Sequence, residues 1–200
     1  MPIIPRDRVD EVVQALLDGS VVAIPTDTVY GLAATLDHSD AVRRLAELKG
    51  RAADQPIAVL LDTAEDATPH LADANALDTV TRFWPGAVTA IVRVEQGFAD
   101  VVTTDEGTLG LRVPDDALAR SVIRACGGAL AVTSANFHGE EPARSAADVA
   151  AAFGESMLVL DGGTRNGGVA STVVDLSVEP PQLLREGGVS RADLGLSGAG

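Results

Sequence analysis

Apolar residues recur along the chain at two different spacings, and each spacing predicts a different kind of element. In residues 9–17 they follow the i, i+3, i+4, i+7 order of an amphipathic helix, which Gly19 is placed to end. Side chains that can cap a helix predict three further helices, and a weaker helical pattern predicts a fourth. The capped helices begin at Ser39, at Asp115 or Asp116, and at Ser145, and the weaker one spans residues 71–83.

Short apolar runs between these helices predict buried strands. The runs lie at residues 21–24, 57–61, 88–94, 109–113, 129–133, 157–160, 172–176 and 182–184. Because strands are interspersed with helices, the pattern predicts an α/β domain built on a mixed sheet. No linker interrupts it, so one domain is expected over residues 1–190, and the small polar residues 191–200 predict a loose tail.

Composition and charge narrow the classes of function. The chain has 200 residues, of which 29 are acidic and 15 basic, giving a net charge of −14. Such a surface repels phosphate backbones and anionic lipids, so nonspecific nucleic-acid binding and membrane binding are disfavoured. No apolar run approaches the ~20 residues that span a bilayer. The N-terminus has no signal-peptide pattern, and the single cysteine, Cys126, fits a reducing cytoplasm.

The motifs of several enzyme classes are absent from the sequence. The single lysine, Lys49, does not stand in a G-x-x-x-x-G-K-[ST] motif, which excludes a P-loop. There is no G-x-G-x-x-G after a strand and no G-x-S-x-G. Ser134 and His138 lie four residues apart, but a hydrolytic pair lacks an identifiable third member. The three histidines and Cys126 show no metal-ligand spacing, so no protein-held metal is predicted.

Four polar clusters lie at the ends of predicted strands or within them, where α/β sheets usually bind ligands. They are residues 25–32, 48–56, 109–114 and 133–136. Each has an ordinary structural interpretation as a turn, a cap or a helix-dipole contact. Arg112, however, lies within an apolar strand and needs an anionic partner from the protein or a ligand. In a chain of net charge −14, Lys49, Arg51 and Arg112 together indicate a site for an anionic substrate.

Six stretches carry a resemblance to a known family. They are Pro25–Leu32, Lys49-Gly50-Arg51, Gly110–Pro114, Thr133–Asn136, Ser171–Asp175 and Leu184–Gly188. In this order they resemble the YrdC/TsaC family of threonylcarbamoyl-AMP synthases. The resemblance implies a twisted mixed sheet with flanking helices and a large concave, positively lined cavity. It also implies a nucleotidyltransferase that makes threonylcarbamoyl-AMP and pyrophosphate from L-threonine, bicarbonate and ATP.

The resemblance assigns roles residue by residue. The implied catalytic tetrad around the nucleotide phosphates is Lys49, Arg51, Ser134 and Asn136. The implied ATP-binding residues are Lys49, Arg51, Gln55, Thr108, Ser134 and Arg185. The implied threonine-binding residues are Thr28, Arg112, Val132 and Ser171, with Arg112 suited to the substrate carboxylate. Leu60 stands where some relatives have a histidine, and it cannot form a hydrogen bond to threonine.

In the implied reaction, a carbamate formed from threonine attacks the α-phosphorus of ATP and pyrophosphate leaves. Lys49, Arg51 and a Mg²⁺ ion held mainly by phosphates and water would offset the charge on the pyrophosphate. The product would pass to a threonylcarbamoyl transferase for t6A37 modification of tRNA. Three alternatives stay open: a paralogue with another acceptor (YciO-like or carbamoyl-transfer), an RNA-binding module, which the net charge disfavours, and a small-molecule binding protein without turnover.

Overall fold

The computed structural model describes residues 3–49, 57–154, 157–166 and 169–196. Ten strands occur in these ranges: β1 Ile3–Ile4, β2 Val22–Pro25, β3 Tyr30–Thr35, β4 Ala58–Leu61, β5 Val88–Arg93, β6 Thr108–Arg112, β7 Ala129–Ser134, β8 Leu158–Leu160, β9 Thr172–Asp175 and β10 Gln182–Arg185. The α-helices of the same ranges are α1 Val9–Leu17, α2 Ser39–Leu48, α3 Ala117–Ala125 and α4 Ala146–Phe153. None of these helices is long and apolar enough to cross a membrane.

The strands form one sheet in the order β1-β8-β2-β3-β7-β4-β6-β5-β9-β10. Four neighbouring pairs are parallel, namely β1–β8, β2–β8, β4–β6 and β5–β9, and the other five are antiparallel. This arrangement confirms the predicted α/β class with a mixed sheet.

Different helices cover the two faces of the sheet. In β7, Leu130 belongs to a core that includes α1 and α3, whereas the adjacent Ala131 belongs to a core that includes α2 and α4. This division follows from the alternation of side chains along a strand. A third core forms around β5 and β6 and is covered by residues of the segment 67–99.

The predicted helix ends are largely confirmed. Gly19 has a φ of +84° and ends α1, with hydrogen bonds from its own N–H to Leu16 and from Ser20 to Ala15. The side chain of Asp116 accepts a hydrogen bond from the backbone of α3, and that of Ser145 from the backbone of α4. The predicted cap at Ser39 is wrong, because Ser39 is the first helical residue and the residue before it makes no side-chain cap bond.

The weak helix predicted over residues 71–83 is wrong. Leu71 instead forms an antiparallel bridge with Val94, and the only helical structure in this segment, which is fully described, is a 3₁₀ turn at Thr81–Phe83. The carboxylate of Asp73 accepts a hydrogen bond from the backbone of Asn75, which favours a turn over a helix. Strand pairing and turn chemistry therefore override the weak helical spacing.

The loose tail predicted from residue 191 is wrong as far as residue 196. Leu194 is 2% exposed and lies in the core around β5 and β6, with Leu196 packed against it. The backbone N–H of Leu194 also donates to the carbonyl of Ser190. Two leucines thus anchor a segment whose composition is otherwise small and polar, while residues 197–200 lie outside the described part of the chain.

Candidate active site

A concave cavity of about 390 Å³ lies against the sheet. Its wall includes residues from seven strands that are consecutive in the sheet, from β3 through β7, β4, β6, β5 and β9 to β10. Side chains two residues apart in one strand point into it together, as Thr89 and Ile91 do. The aliphatic part of the wall includes Ala58, Leu60, Ile91, Val132 and Val173.

Arg112, in β6, lies at the polar end of this cavity and is 8% exposed. Its Nη2 donates to both carboxylate oxygens of Asp27 at 2.7 Å. Its Nη1 donates to Thr28 Oγ1 at 3.3 Å, and its Nε donates to the carbonyl of Gly86 at 3.0 Å. The anionic partner that the sequence required for Arg112 is therefore supplied by the protein, through Asp27.

Ser171 and Arg185 also line the cavity, and Arg185 lies close enough to Arg112 for the charge of Arg112 to affect it. Arg185 donates from Nε to the Ser171 carbonyl at 3.0 Å and from Nη2 to Ser171 Oγ at 3.2 Å. Burial, and then the positive charge of Arg112, lower the pKa of Arg185. The carboxylate of Asp27 offsets the charge of Arg112, so the charge of Arg185 is what leaves this part of the wall positive for an anionic ligand, although Glu141 also lines the cavity.

Ser171 has a second partner that sequence reasoning missed. Its Oγ lies 2.9 Å from Thr89 Oγ1, and both residues line the cavity. The signal was present in the sequence, because Thr89 interrupts a run of apolar residues in the predicted strand 88–94. A polar residue at alternating spacing in such a strand faces the opposite side from its buried neighbours.

Lys49, Ser134 and Asn136 form a second polar cluster, which reaches the cavity wall at Ser134. The side chain of Lys49 is buried, and its Nζ donates to Ser134 Oγ at 2.8 Å, to the Ser134 carbonyl at 2.9 Å and to Asn136 Oδ1 at 2.9 Å. Asn136 is held in turn by its Nδ2, which donates to the carbonyls of Phe137 and Glu140. The end of α2 and the end of β7 bring these residues together.

Two of the predicted site residues, Arg51 and Gln55, lie outside the described residues. Thr108 lies outside the cavity wall, where its hydroxyl forms a 2.7 Å hydrogen bond with that of Thr104. The remaining predicted residues of the amino-acid site, Thr28 and Val132, both line the cavity.

Tyr30 lines the cavity and links β3 to the loop at Gly162 and Gly163. It is fully buried, and its hydroxyl donates to the Gly163 carbonyl and accepts from the Gly162 N–H, both at 3.0 Å. Burial raises the pKa of Tyr30. Arg165 links the same loop to the cavity wall, because it donates to the carbonyl of Thr26 at 3.2 Å.

Within the described ranges, no group of three or more His, Cys, Asp or Glu residues could hold a metal ion.

Comparison with known proteins gives consistent matches. A family model for Sua5, YciO and YrdC, described as telomere recombination, matches residues 14–187. The chain is 36% identical over 193 residues to threonylcarbamoyl-AMP synthase of Bacillus subtilis, covering 90% of this chain and 53% of the relative. It is 37% identical over 172 residues to the synthase of Chromohalobacter salexigens, covering 85% and 93%.

Solved structures show the same likeness. The Pyrococcus abyssi Sua5 structure complexed with L-threonine matches with a TM-score of 0.90 and 32% identity, over 97% of this chain and 60% of that one. The structure of Escherichia coli YciO, at a TM-score of 0.85 but 20% identity, shares the fold. The chain spans little more than half the length of its first curated relatives, 53% and 56%. The matches over most of this chain's length show that it belongs to the Sua5/YciO/YrdC family.

Proposed function

We propose that the protein is a threonylcarbamoyl-AMP synthase, which forms threonylcarbamoyl-AMP and pyrophosphate from L-threonine, bicarbonate and ATP. The observation that carries the proposal is the presence of two polar clusters of residues in the wall of one cavity. Arg112, Thr28 and Ser171 lie at one place in its wall, and the buried Lys49 cluster reaches the wall at Ser134. A relative of the same fold is named as a complex with L-threonine.

The amino-acid substrate fits the end of the cavity that holds Arg112. A guanidinium group pairs well with a carboxylate, and the hydroxyls of Thr28 and Ser171 offer hydrogen bonds to polar groups of the substrate. The aliphatic residues Leu60 and Val132 suit its methyl group. Leu60 donates no hydrogen bond, so recognition of the substrate hydroxyl falls to Thr28, Thr89 or Ser171.

The nucleotide phosphates would lie toward Ser134, with Arg185 on the other side. Lys49 holds Ser134 Oγ and Asn136 Oδ1 in place and adds a positive charge behind them. We assign Arg51 and Gln55 to the same subsite on the sequence resemblance alone. Thr108 does not line the cavity, and its nucleotide contact stays a prediction from the sequence resemblance.

Adenylyl transfer asks this chain to position reactants and to stabilise charge. The carbamate oxygen attacks the α-phosphorus, and the bond to the pyrophosphate oxygen breaks. The cation of Lys49, fixed by its hydrogen bonds to Ser134 and Asn136, favours the charge that develops on the leaving group. Mg²⁺ would accompany ATP as part of the substrate, bound by phosphate oxygens and water, and no step is assigned to a metal held by the chain. We further propose that the protein acts in the cytoplasm and passes its product to a threonylcarbamoyl transferase.

The proposal is tested by measuring pyrophosphate release with ATP, Mg²⁺, bicarbonate and L-threonine, omitting one component at a time. Release should depend on both threonine and bicarbonate. Release that does not depend on both would contradict the proposal and would favour a paralogue with another acceptor, or a binding protein without turnover.

A lysine variant tests the assignment of the nucleotide subsite. Lys49→Ala should lower the rate of pyrophosphate release at least a hundredfold, the usual cost of losing a preorganised electrostatic group. Ser134→Ala, a smaller change at the same cluster, should lower it in the same direction. Arg44→Ala is the matched control, because Arg44 lies in α2 near Lys49 but is exposed and pairs with Glu47. Near-normal release by Lys49→Ala would refute the assignment.

A further inference from the structure

The ion pair between Asp27 and Arg112 lies at the edge of the cavity, and its two side chains occupy different positions relative to the cavity wall. The side chain of Asp27 is 15% exposed and that of Arg112 is 8% exposed. Arg112 lines the cavity, whereas Asp27 does not, although Thr26 and Thr28 on either side of it do. The carboxylate therefore contacts the guanidinium group from outside the cavity wall.

The hydrogen bonds of Arg112 show which part of the guanidinium group faces a ligand. Asp27 occupies Nη2 through both of its oxygens, and the Gly86 carbonyl occupies Nε. Among the described residues, Nη1 has one partner, Thr28 Oγ1, at the long distance of 3.3 Å. Since Nη1 carries two hydrogens, it keeps donor capacity for a bound molecule.

The charges at this end of the cavity explain why a carboxylate is needed there. Arg112 and Arg185 lie close enough that the charge of one lowers the pKa of the other. Without Asp27, the buried guanidinium group of Arg112 would have no carboxylate to offset its charge beside Arg185, and it would lose the contact that fixes its plane. Removing one partner of a buried pair leaves the other charge uncompensated.

We propose that Asp27 is a positioning residue for the amino-acid substrate, acting through Arg112. It holds the guanidinium plane so that Nη1 faces the cavity and can donate to the substrate carboxylate. This inference rests on the proposed function insofar as the ligand is an amino acid. The alternative role for Asp27 is the opposite one, in which its carboxylate competes with the substrate carboxylate for Arg112.

The kinetic test compares Asp27→Asn, which keeps the shape of the side chain and removes its charge, with the unaltered protein. The KM for L-threonine should rise about tenfold, corresponding to the loss of a charge-assisted hydrogen bond. The KM for ATP should stay within about twofold. A KM for threonine that is unchanged would overturn the inference, and one that falls would identify Asp27 as a competitor.

A second buried carboxylate provides the control. The side chain of Asp62 is 8% exposed and accepts hydrogen bonds from Arg120 and Arg124, and it does not line the cavity. Asp62→Asn should lower the Tm and leave both KM values unchanged. If Asp62→Asn raised the KM for threonine as much as Asp27→Asn does, the effect would be structural and the inference would fail.

A measurement that needs no activity separates this inference from the proposed function. The Nη2–H NMR signals of Arg112, assigned by their loss in Arg112→Lys, should exchange slowly with water in the unaltered protein and rapidly in Asp27→Asn. Equal exchange in both overturns the inference even if the enzyme is active. Slow exchange that becomes rapid, in a protein that releases no pyrophosphate with threonine, refutes the proposed function and leaves the role of Asp27 standing. If Asp27→Asn does not fold, Asp27→Glu is used, since it shifts the carboxylate by one methylene and should show the same effect on KM and exchange.

Discussion

The two buried cations at this site, Arg112 and Lys49, carry different charged groups, and each group suits a different task. Arg112 presents a planar fork, with one edge against the carboxylate of Asp27 and another toward the cavity. Lys49 presents a compact ammonium group that contacts oxygens of Ser134 and Asn136. A fork recognises a carboxylate in one orientation, whereas a point charge tolerates phosphate oxygens that move during the reaction.

Cys126 gives a prediction at the scale of one residue. It caps the end of α3, and burial raises the pKa of its thiol to about 11. Because the thiolate is the reactive form, labelling of the folded protein by a disulfide reagent at pH 8 should be roughly a hundredfold slower than in denaturant. The rate should rise as the pH is raised toward 11. Equal rates in the folded and unfolded protein would contradict this expectation.

The sequence predicted that Arg112 needs a partner but did not identify Asp27. The need follows from local information, since an arginine stands within an apolar strand. The partner lies 85 residues away along the chain, and only the pairing of strands brings the two together. The contact of Thr89 with Ser171 spans 82 residues and escaped prediction for the same reason.

At the scale of elements, the strands with one dominant apolar run were predicted well, and the exceptions are instructive. The strand β3 was missed because its residues are buried along its whole length and include Gly31, Ala33 and Ala34, which give no alternating signal. Gly31 is required there, since a Cβ would lie 2.6 Å from a methyl of Val132 in β7. The segment after residue 71 failed because its pairing with Val94 is non-local.

Gly187, which follows β10 and lies against residues 170–172, gives the prediction at the scale of elements. A Cβ at Gly187 would lie 2.1 Å from the carbonyl oxygen of Ala170 and 2.6 Å from the nitrogen of Thr172. Gly187→Ala must therefore displace the residues that follow β10 from those at the start of β9, next to Ser171. It should lower the free energy of unfolding by about 1–3 kcal/mol, as overpacking does, and raise the KM for threonine.

Gly188→Ala is the matched control for this change. Its Cβ would meet the Cβ of Ala87 at 3.2 Å, a side-chain contact that can relax. Chemical denaturation and threonine titration measure the two effects. A Gly187→Ala protein with unaltered stability and an unaltered KM would contradict this prediction.

At the scale of the whole molecule, the net charge of −14 surrounds a cavity that contains Arg112 and Arg185. The exterior repels polyanions such as RNA, while the cavity end attracts a single small anion. The overall charge therefore disfavours large polyanions, whereas the local charge of the cavity favours a small anion. The sequence predicted this contrast, because the net charge and the motifs can both be read from it without knowledge of the fold.

The same excess of negative charge gives the prediction at this scale. Repulsion among surface carboxylates destabilises the folded state, and salt screens it. Raising NaCl from about 0.05 M to about 0.5 M should increase the Tm by roughly 2–4 °C, equivalent to about 1 kcal/mol for a chain of this size. Scanning calorimetry at both concentrations measures the shift. A fall in Tm would mean that ion pairs such as Asp62 with Arg124 outweigh the repulsion.

The cavity wall runs through seven adjacent strands, from Tyr30 in β3 to Arg185 in β10. Any contiguous fragment that contains both ends of it must include residues 30–185. A chain still emerging from the ribosome lacks a complete cavity wall until residue 185 is available to pair. A bound substrate, conversely, links all seven strands, and its free energy of binding opposes the local opening of any one of them.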